Sequence, residues 1–396
     1  MPDKMPLPDG ARLIIDKLNK SGSTAGVVGG SVRDFLIGRE IFDYDITTSA
    51  KPNEVKDIFS DFRIVDTGIL HGTVTVIIDG TPFEVTTYRQ DGNYIDSRHP
   101  ESVTFTNALA EDLKRRDFTV NAICYSDKDG YTDLFGGIDD LNSKIIRAVG
   151  DPRQRFSEDA LRIMRAIRFS SQLGFIIEEN TAKALRTLAP TITKISRERI
   201  LAEWKKLLAG KNAYQVIAEY RDVIEIAIPE LSGVPMPPEY TFIDSDSLTR
   251  ELLLFAAAPD GKGRFSQASI SLRRDNATRR LGEDVLTALS ESVPRGKAAV
   301  ARFLNKFGED TLDLYLKVAE PLDIITEAEA DEISSIADSD IVCKISDLAI
   351  GGKELLALGI SGRAVGEALE YALDAVIAGV CPNTKTALLK IIKSRK

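Results

Sequence analysis

The first 150 residues alternate short apolar runs with turn-forming residues, whereas the rest of the chain repeats apolar residues at helical spacing. Runs rich in Val, Ile and Thr are typical of β-strands. The predicted strands are AGVVGG, DYDITT, FRIVDTG, GTVTVIID, PFEVTTYR and ESVTFT. Between them the pattern predicts helices over 9–20, 31–38 and 52–59. We therefore expect this part to form one mixed sheet with helices packed on it.

Beyond Gly150 the pattern predicts helices only. The segment EDALRIMRAIRFSSQLGF has Leu161, Met164 and Ile167 at helical spacing. Similar segments follow, and stretches rich in Pro and Gly, such as VPMPPEY, separate them. The predicted fold class is α+β, in which an N-terminal head of mixed sheet and helices precedes an all-helical remainder.

Composition narrows the classes of function. The net charge of −9 argues against a protein that coats nucleic acid without sequence preference, although local basic patches can still bind it. The three cysteines are far apart, which argues against a disulfide framework or a zinc site and favours a cytoplasmic protein. No apolar run approaches the roughly 20 residues of a membrane span, so we expect no membrane partner.

Candidate chemistry begins with Asp43 and Asp45, which follow the pair Gly29-Gly30 in GGSVRDFLIGREIFDYDI. In a strand, residues i and i+2 point to the same face, so both carboxylates can reach one place. Mg²⁺ binds through one or two carboxylates together with substrate phosphates. Glycines allow the backbone to approach a phosphate closely. The alternative interpretation is an ordinary turn followed by two solvent-exposed aspartates.

Three further residues of the head fit the same chemistry. Glu84 in PFEVTTYR would add a third carboxylate to a two-metal site for phosphoryl transfer, or it faces water. Arg33 follows the glycine pair, and Arg116 lies in EDLKRRDFTVNAI. Arginine suits phosphate because its planar fork donates two hydrogen bonds at once, but either residue could instead form a surface ion pair.

The predicted helix EDALRIMRAIRF carries Asp159, Arg162, Arg165 and Arg168 in steps of three, so neighbouring members share a face. An amphipathic helix with an Asp159–Arg162 salt bridge is one interpretation. In the other, Asp159 accepts from an exocyclic amino group while Arg162 donates to a ring nitrogen. Cytosine and adenine offer both partners, whereas uracil and guanine present an oxygen and an N–H instead. Arg165 and Arg168 would then remain for a triphosphate.

Together these motifs resemble a known family. GGSVRD with DYD, EDLKRRDFTVNAI, DLFGGIDDL, EDALRIMRAIRF and ISRERI resemble, in order, the five motifs of class II tRNA nucleotidyltransferases, the bacterial CCA-adding enzymes of the polymerase-β-like superfamily. The resemblance implies template-independent addition of CCA to the 3′ end of tRNA from CTP and ATP, by Mg²⁺-dependent nucleotidyl transfer that releases pyrophosphate. CC-adding and A-adding enzymes, poly(A) polymerases and a catalytically inactive RNA-binding protein are the alternatives.

The resemblance also implies roles for individual residues. Asp43 and Asp45 would hold Mg²⁺, and Glu84 would be the third catalytic carboxylate. The residues expected to contact the incoming nucleotide are Gly30, Arg33, Arg116, Asp159, Arg162, Arg165 and Arg168.

The resemblance further implies a division into four domains. These are a head at 1–149, a neck at 150–211, a body at 212–310 and a tail at 311–396. The expected partner is tRNA, bound through its 3′ end, acceptor stem and elbow, and the protein is expected to be a monomer or a homodimer. The segment TTYRQDGNYIDSRHPESVTF resembles the flexible loop of full CCA-adding enzymes, although His99 stands where relatives often carry arginine.

Overall fold

The computed structural model describes residues 4–92 and 103–394. The chain divides into two compact units, Met1–Pro229 and Glu230–Lys396. The first contains a mixed sheet with helices and the second is helical, which confirms the predicted α+β fold class.

Seven strands of the first unit form one mixed sheet. In chain order they are β1 (Ala25–Val28), β2 (Ile46–Thr48), β3 (Arg63–Val65), β4 (Thr73–Ile78), β5 (Thr81–Thr87), β8 (Ile123–Ser126) and β9 (Gly130–Asp133). Their order across the sheet is β3-β4-β5-β2-β1-β8-β9, with β2 and β5 parallel and the other neighbours antiparallel. The central strands β1 and β2 are buried throughout.

Two strand pairs lie outside this sheet. Strands β6 (Arg89–Asp91) and β7 (Val103–Phe105) pair antiparallel, and β10 (Ile145–Ile146) pairs parallel with β11 (Ile176–Ile177). The prediction of helix throughout the region beyond Gly150 was therefore wrong at β11. Gly174, with φ of 69°, ends the preceding helix there and lets the chain turn into a short strand.

Eleven α-helices belong to the described part of the first unit. They are α1 (Asp9–Lys20), α2 (Gly30–Leu36), α3 (Pro52–Ile58), α4 (Leu109–Lys114), α5 (Gly137–Ser143), α6 (Pro152–Glu158), α7 (Leu161–Leu173), α8 (Glu179–Leu188), α9 (Arg197–Leu208), α10 (Ala213–Glu219) and α11 (Arg221–Ala227). Helix α7 packs against α9, and ten residues of α7 are buried. A helix buried on most of its surface must supply internal partners for its arginines.

The described part of the second unit has nine α-helices, and the last seven of them contribute buried residues to one apolar core. The nine helices are α12 (Ser247–Ala256), α13 (Gly261–Ser271), α14 (Asn276–Ala288), α15 (Lys297–Phe307), α16 (Glu309–Ala319), α17 (Glu327–Ala337), α18 (Gly352–Ala357), α19 (Arg363–Ile377) and α20 (Lys385–Ser394). Its core includes Leu312, Tyr315, Leu355 and Leu388. Among the described residues of the whole chain, no helix has both the length and the apolar character that crossing a membrane requires.

Candidate active site

The glycine pair lies where β1 turns into α2. Gly29 has a φ of 83°, which side chains with a Cβ rarely adopt, and α2 begins at Gly30. A Cβ placed on Gly29 would lie 3.2 Å from Nη1 of Arg116. No side chain therefore covers the backbone of Gly29 next to the Arg116 guanidinium group, so a phosphate could approach this backbone closely.

Asp43 and Asp45 precede β2 and do not form part of it, so the prediction of a strand from Asp43 onwards was wrong. Asp43 and Asp45 are both exposed, whereas all residues of β2 are buried. The regular strand thus begins where the chain enters the buried sheet. One hydrogen bond still joins Asp45 to the sheet, because the Val28 amide donates to its carbonyl oxygen at 3.0 Å. The backbone of Asp45 is thus fixed to the central strand β1.

The charges of Glu84, Arg116 and Asp43 act on the Asp45 carboxylate. Although Asp45 is exposed, neighbouring atoms displace part of the water around its carboxylate, and this loss of hydration is the first cause that raises its pKa. The negative charges of Glu84 and Asp43 raise it further, while Arg116 acts in the opposite direction. Glu84 is exposed on β5, next to the residue that pairs with the start of β2. The carboxylates therefore repel one another at a place where a cation would relieve the repulsion.

The donor set at this place fits a hard divalent cation only in part. Across residues 4–92 and 103–394, no group of three or more His, Cys, Asp or Glu side chains is arranged to hold a metal ion. The expected cluster of Asp43, Asp45 and Glu84 is therefore not formed, and the role of Glu84 stays a prediction. Two aspartates leave coordination positions for phosphate and water, which is how a magnesium-like ion is usually bound.

The two arginines of the head have internal partners. Arg33 donates from Nη1 to Asn121 Oδ1 at 2.7 Å, and from Nε and Nη2 to the Asp34 carboxylate at 2.9 Å each. Arg116 donates from Nη2 to the fully buried Asp112 at 3.2 Å. Burial would raise the pKa of Asp112, but Arg116 and its neighbour Arg115 outweigh it and lower that pKa. Both guanidinium groups are thus held by the protein itself.

Two arginines of α7 pair with buried acids. Arg165 donates from Nε and Nη2 to Asp117 Oδ2 at 2.8 and 2.6 Å. Although burial acts to raise it, the pKa of Asp117 is far below its ordinary value because of Arg165 and Asn121. Arg168 lies 2.7 Å from Glu203, and its burial lowers its pKa to about 10. The Arg165 side chain is 33% exposed and that of Arg168 only 9%, so Arg165 is the more accessible to a ligand.

The structure corrects the expected position of Asp159. Helix α6 ends at Glu158, Asp159 is extended, and α7 begins only at Leu161. The Asp159 carboxylate accepts from the Leu161 amide at 3.0 Å and from Arg199 Nη2 at 2.9 Å. The prediction of one helix carrying both Asp159 and Arg162 was therefore wrong, because Asp159 uses its side chain to satisfy an amide at the start of α7.

Arg162 is the second residue of the expected base-reading pair, and it does not pair with Asp159. It donates from Nη1 to Glu158 at 2.7 Å, so the alternative interpretation, an Asp159–Arg162 salt bridge, is not observed either. The carbonyl oxygens of Arg155 and Arg115 each accept a further hydrogen bond at 3.0 Å. These bonds use three of the five guanidinium N–H groups and leave two for a ligand.

Sequence reasoning missed most partners of the site residues, including two partners of the arginines and one ring beside them. Asn121 holds Arg33, Glu203 holds Arg168, and Phe169 packs against both arginines. Asn121 follows Asp117 within the motif RRDFTVNAI, which is a signal that could have found it. Half of the segment expected to be a flexible loop, including His99, lies outside the described residues.

Family models match three parts of the chain. Residues 25–147 match the poly A polymerase head domain, 174–232 the RNA and SrmB-binding site of polymerase A, and 273–392 tRNA nucleotidyltransferase domain 2. The head model covers the sheet, the glycine pair and the aspartates. Fold and site together therefore define a nucleotidyltransferase with a head of the poly A polymerase type.

Full-length relatives narrow this class. The chain is 38% identical to the CCA-adding enzyme of Leuconostoc mesenteroides, over 97% of this chain and 95% of that protein. It is also 38% identical to the CCA-adding enzyme of Latilactobacillus sakei, over 96% of each chain. The crystal structure of the Bacillus stearothermophilus CCA-adding enzyme in complex with CTP matches with a TM-score of 0.84 at 33% identity, covering 99% of this chain and 98% of that one.

The chain belongs to the family of CCA-adding enzymes. Membership of this nucleotidyltransferase family implies a requirement for a divalent metal ion. The resemblance carried by the five sequence motifs is thereby confirmed at the level of the family.

Proposed function

We propose that this protein adds the nucleotides C, C and A to the 3′ end of tRNA without a nucleic-acid template. CTP and ATP are the substrates, the terminal 3′-hydroxyl of the tRNA attacks the α-phosphate, and pyrophosphate leaves. The observation that carries the proposal is the full-length similarity to CCA-adding enzymes, one of which has been solved with CTP.

We propose that Asp43 and Asp45 hold Mg²⁺, with Glu84 beside them. When bound, the ion supplies charge neutralisation at the phosphates and acidifies the attacking hydroxyl. Loss of hydration is the first cause that raises the pKa of Asp45 and repulsion by Glu84 is the second; a cation at this place would relieve that repulsion, which supports the assignment. The aspartates contribute orientation and charge, without forming a covalent intermediate.

The nucleotide is held by the residues around the glycine pair and along α7. Gly30 and its neighbour Gly29 allow the triphosphate to approach the backbone, and Arg33, Arg116, Arg165 and Arg168 surround it with positive charge. The proximity of Gly29 to the Arg116 guanidinium supports the role of the glycines in admitting the triphosphate to the backbone. The larger exposure of Arg165 favours it for direct contact with phosphate.

Asp159 and Arg162 read the base. Asp159 accepts from the amino group of cytosine or adenine, and Arg162 donates to the adjacent ring nitrogen. Two free N–H groups on Arg162 and the remaining lone pairs of the Asp159 carboxylate allow this without loss of their internal partners. Their internal partners also fix both side chains before a nucleotide arrives.

We further propose the four-part division into head (1–149), neck (150–211), body (212–310) and tail (311–396), with the tRNA acceptor stem and elbow bound by the helical parts. The protein acts in the cytoplasm as a monomer or homodimer. The three cysteines (Cys124, Cys343, Cys381) are free thiols, as a reducing compartment would leave them.

One assay tests the proposal. The protein is given tRNA that lacks its CCA end, with Mg²⁺, CTP and ATP, and the added nucleotides are sequenced. The wild-type chain is expected to add CCA and stop. The double variant Asp43→Ala/Asp45→Ala is expected to lose about a thousand-fold or more in rate, since the charge stabilisation by a correctly held metal is worth several kcal/mol.

The matched control is Asp57→Ala/Asp61→Ala, which removes two exposed aspartates of the same unit and should leave the rate unchanged. Addition of CC alone, of A alone, or of long A tails would overturn the proposal in favour of a related polymerase. Tight tRNA binding without any addition would identify an inactive RNA-binding protein. Full activity of the Asp43/Asp45 variant would refute the assignment of those residues.

A further inference from the structure

Three arginines surround the ring of one buried phenylalanine. Phe169 follows Arg168 in α7 and is 4% exposed. The guanidinium carbon of Arg168 lies 3.8 Å from the centre of the ring, that of Arg33 lies 5.0 Å away and that of Arg165 lies 5.3 Å away. All three distances fall within the range in which an aromatic ring attracts a cation. The ring of Phe169 therefore contacts guanidinium groups from both α2 and α7.

A second ring fixes the orientation of the first. Phe118 is fully buried and meets Phe169 edge to face, with ring centres 5.8 Å apart and planes at 82°. This arrangement brings the positive edge of one ring to the negative face of the other. The plane of Phe169, and so the direction of its attraction for cations, is set by packing.

The three arginines are close enough to repel one another. The pKa of Arg168 is lowered to about 10 chiefly by burial, with Arg165 and Arg33 adding to the effect and Glu203 opposing it. Asp34 pairs with Arg33, Asp117 pairs with Arg165, and Glu203 pairs with Arg168 and lies 3.8 Å from Arg165 as well. These acids balance the three arginines, so a further carboxylate would make the group net negative and repel a polyphosphate, whereas an aromatic ring attracts the guanidinium groups without adding a negative charge.

We propose that Phe169 is a positioning residue for the triphosphate of the incoming nucleotide. Its ring holds Arg33, Arg165 and Arg168 at a fixed spacing, and attracts them without neutralising their charge. A leucine would fill the space but would offer no negative face to the guanidinium groups. The inference rests on the proposed function, in which these arginines face the triphosphate.

A positioning role for Phe169 predicts a distinct pattern of KM values for the nucleotides. The arginines surround the part that CTP and ATP share, whereas Asp159 and Arg162 are assigned to the part in which nucleotides differ. Loss of the ring attraction should therefore raise KM for CTP and ATP by the same factor. The preference for C and A over U and G should not change.

The test replaces Phe169 in the full-length protein by phenylalanines of increasing fluorination. Fluorine withdraws the negative charge from the face of the ring while nearly preserving its shape, so the fold is kept. The affinity for inorganic tripolyphosphate, measured by calorimetry, is expected to fall stepwise, by about ten-fold at the highest fluorination, which corresponds to the loss of a desolvated cation–ring contact. KM for CTP and for ATP should rise in parallel.

The matched control places the same fluorinated residues at Phe59, a fully buried ring that packs against Phe62. These variants should bind tripolyphosphate like the wild type. Unchanged affinity across the Phe169 series, or an equal loss in the Phe59 series, would overturn the proposal, as would a wild-type protein that does not bind tripolyphosphate. Failure of the wild type to extend tRNA would refute the proposed function, and this outcome is independent of the tripolyphosphate measurements.

Discussion

At the scale of single residues, the acids that hold the arginines of the candidate site are as important as the arginines themselves. Asp117 is the central example, because it accepts from Arg165, from Asn121 and from the amide of Phe118. A buried charge that loses its partner is costly to the folded state. The arrangement of the site should therefore respond to changes in the acidic partners.

Asp117→Asn should lower the free energy of unfolding at pH 7 by about 2 kcal/mol, a value reduced because Arg165 keeps part of its hydration. The pKa of Asp117 in the folded protein lies below that of an unfolded aspartate, which is about 3.9. Its stabilising contribution is complete above that pH and is lost as the pH falls towards the lowered value. Urea unfolding of both proteins should thus show a difference that narrows below about pH 4.

The control for this prediction is Asp139→Asn, which changes an exposed aspartate of α5 and should shift stability by less than about 0.5 kcal/mol at any of these pH values. A difference between wild type and Asp117→Asn that stays constant from pH 7 to pH 3 would contradict the assigned ion pair.

At the scale of elements, hydrophobic periodicity predicted those helices that are determined by the pattern of nearby residues in the sequence. Helix α1 was predicted at 9–20 and is observed at Asp9–Lys20, because its apolar residues recur at helical spacing. The partners of the site residues could not be predicted in this way. Arg33 and Asn121 are 88 positions apart and Arg165 and Asp117 are 48 apart, so folding alone brings them together.

The junction between α6 and α7 shows that hydrophobic periodicity can also fail within one short segment. The pattern of apolar residues continues across it, so the sequence predicted a single helix containing Asp159. The side chain of Asp159 instead accepts from the Leu161 amide, which favours the extended backbone observed. A local hydrogen bond thus overrides periodicity at the position assigned to base reading.

Asp159→Ala should relax base selection, because it removes the acceptor for the amino group of cytosine and adenine. Incorporation of UTP and GTP into tRNA should rise relative to CTP and ATP, measured with each nucleotide alone. The control Asp151→Ala removes the side-chain cap of α6 at a similar cost of about 1 kcal/mol without touching the base. Unchanged discrimination in Asp159→Ala would mean that the base is read elsewhere.

At the scale of the whole molecule, the candidate active site belongs to one compact unit. Every residue assigned to metal or nucleotide, from Gly30 to Arg168, lies in Met1–Pro229, and so do the acidic partners as far as Glu203. The second unit has an apolar core of its own. Nucleotide binding should therefore not depend on the second unit, whereas tRNA binding should.

A fragment of residues 1–229 should fold and bind CTP with about the affinity of the full chain, because all the assigned contacts are retained. Its affinity for tRNA should be lower, since the proposed body and tail are mostly removed. Calorimetry with CTP and filter binding with tRNA measure the two quantities. The fragment 230–396 is the control and should not bind CTP. A folded 1–229 fragment without CTP affinity would place part of the nucleotide site in the second unit.

The hydrogen bond from Val28 to the carbonyl of Asp45 has a consequence for inactivation by heat. Its donor belongs to a buried central strand, which opens to solvent only when the sheet is disrupted. Local fraying of surface loops would leave Asp45 in place. We therefore expect catalytic competence to persist on warming until the sheet itself unfolds, so that the inactivation temperature reports the melting of the head.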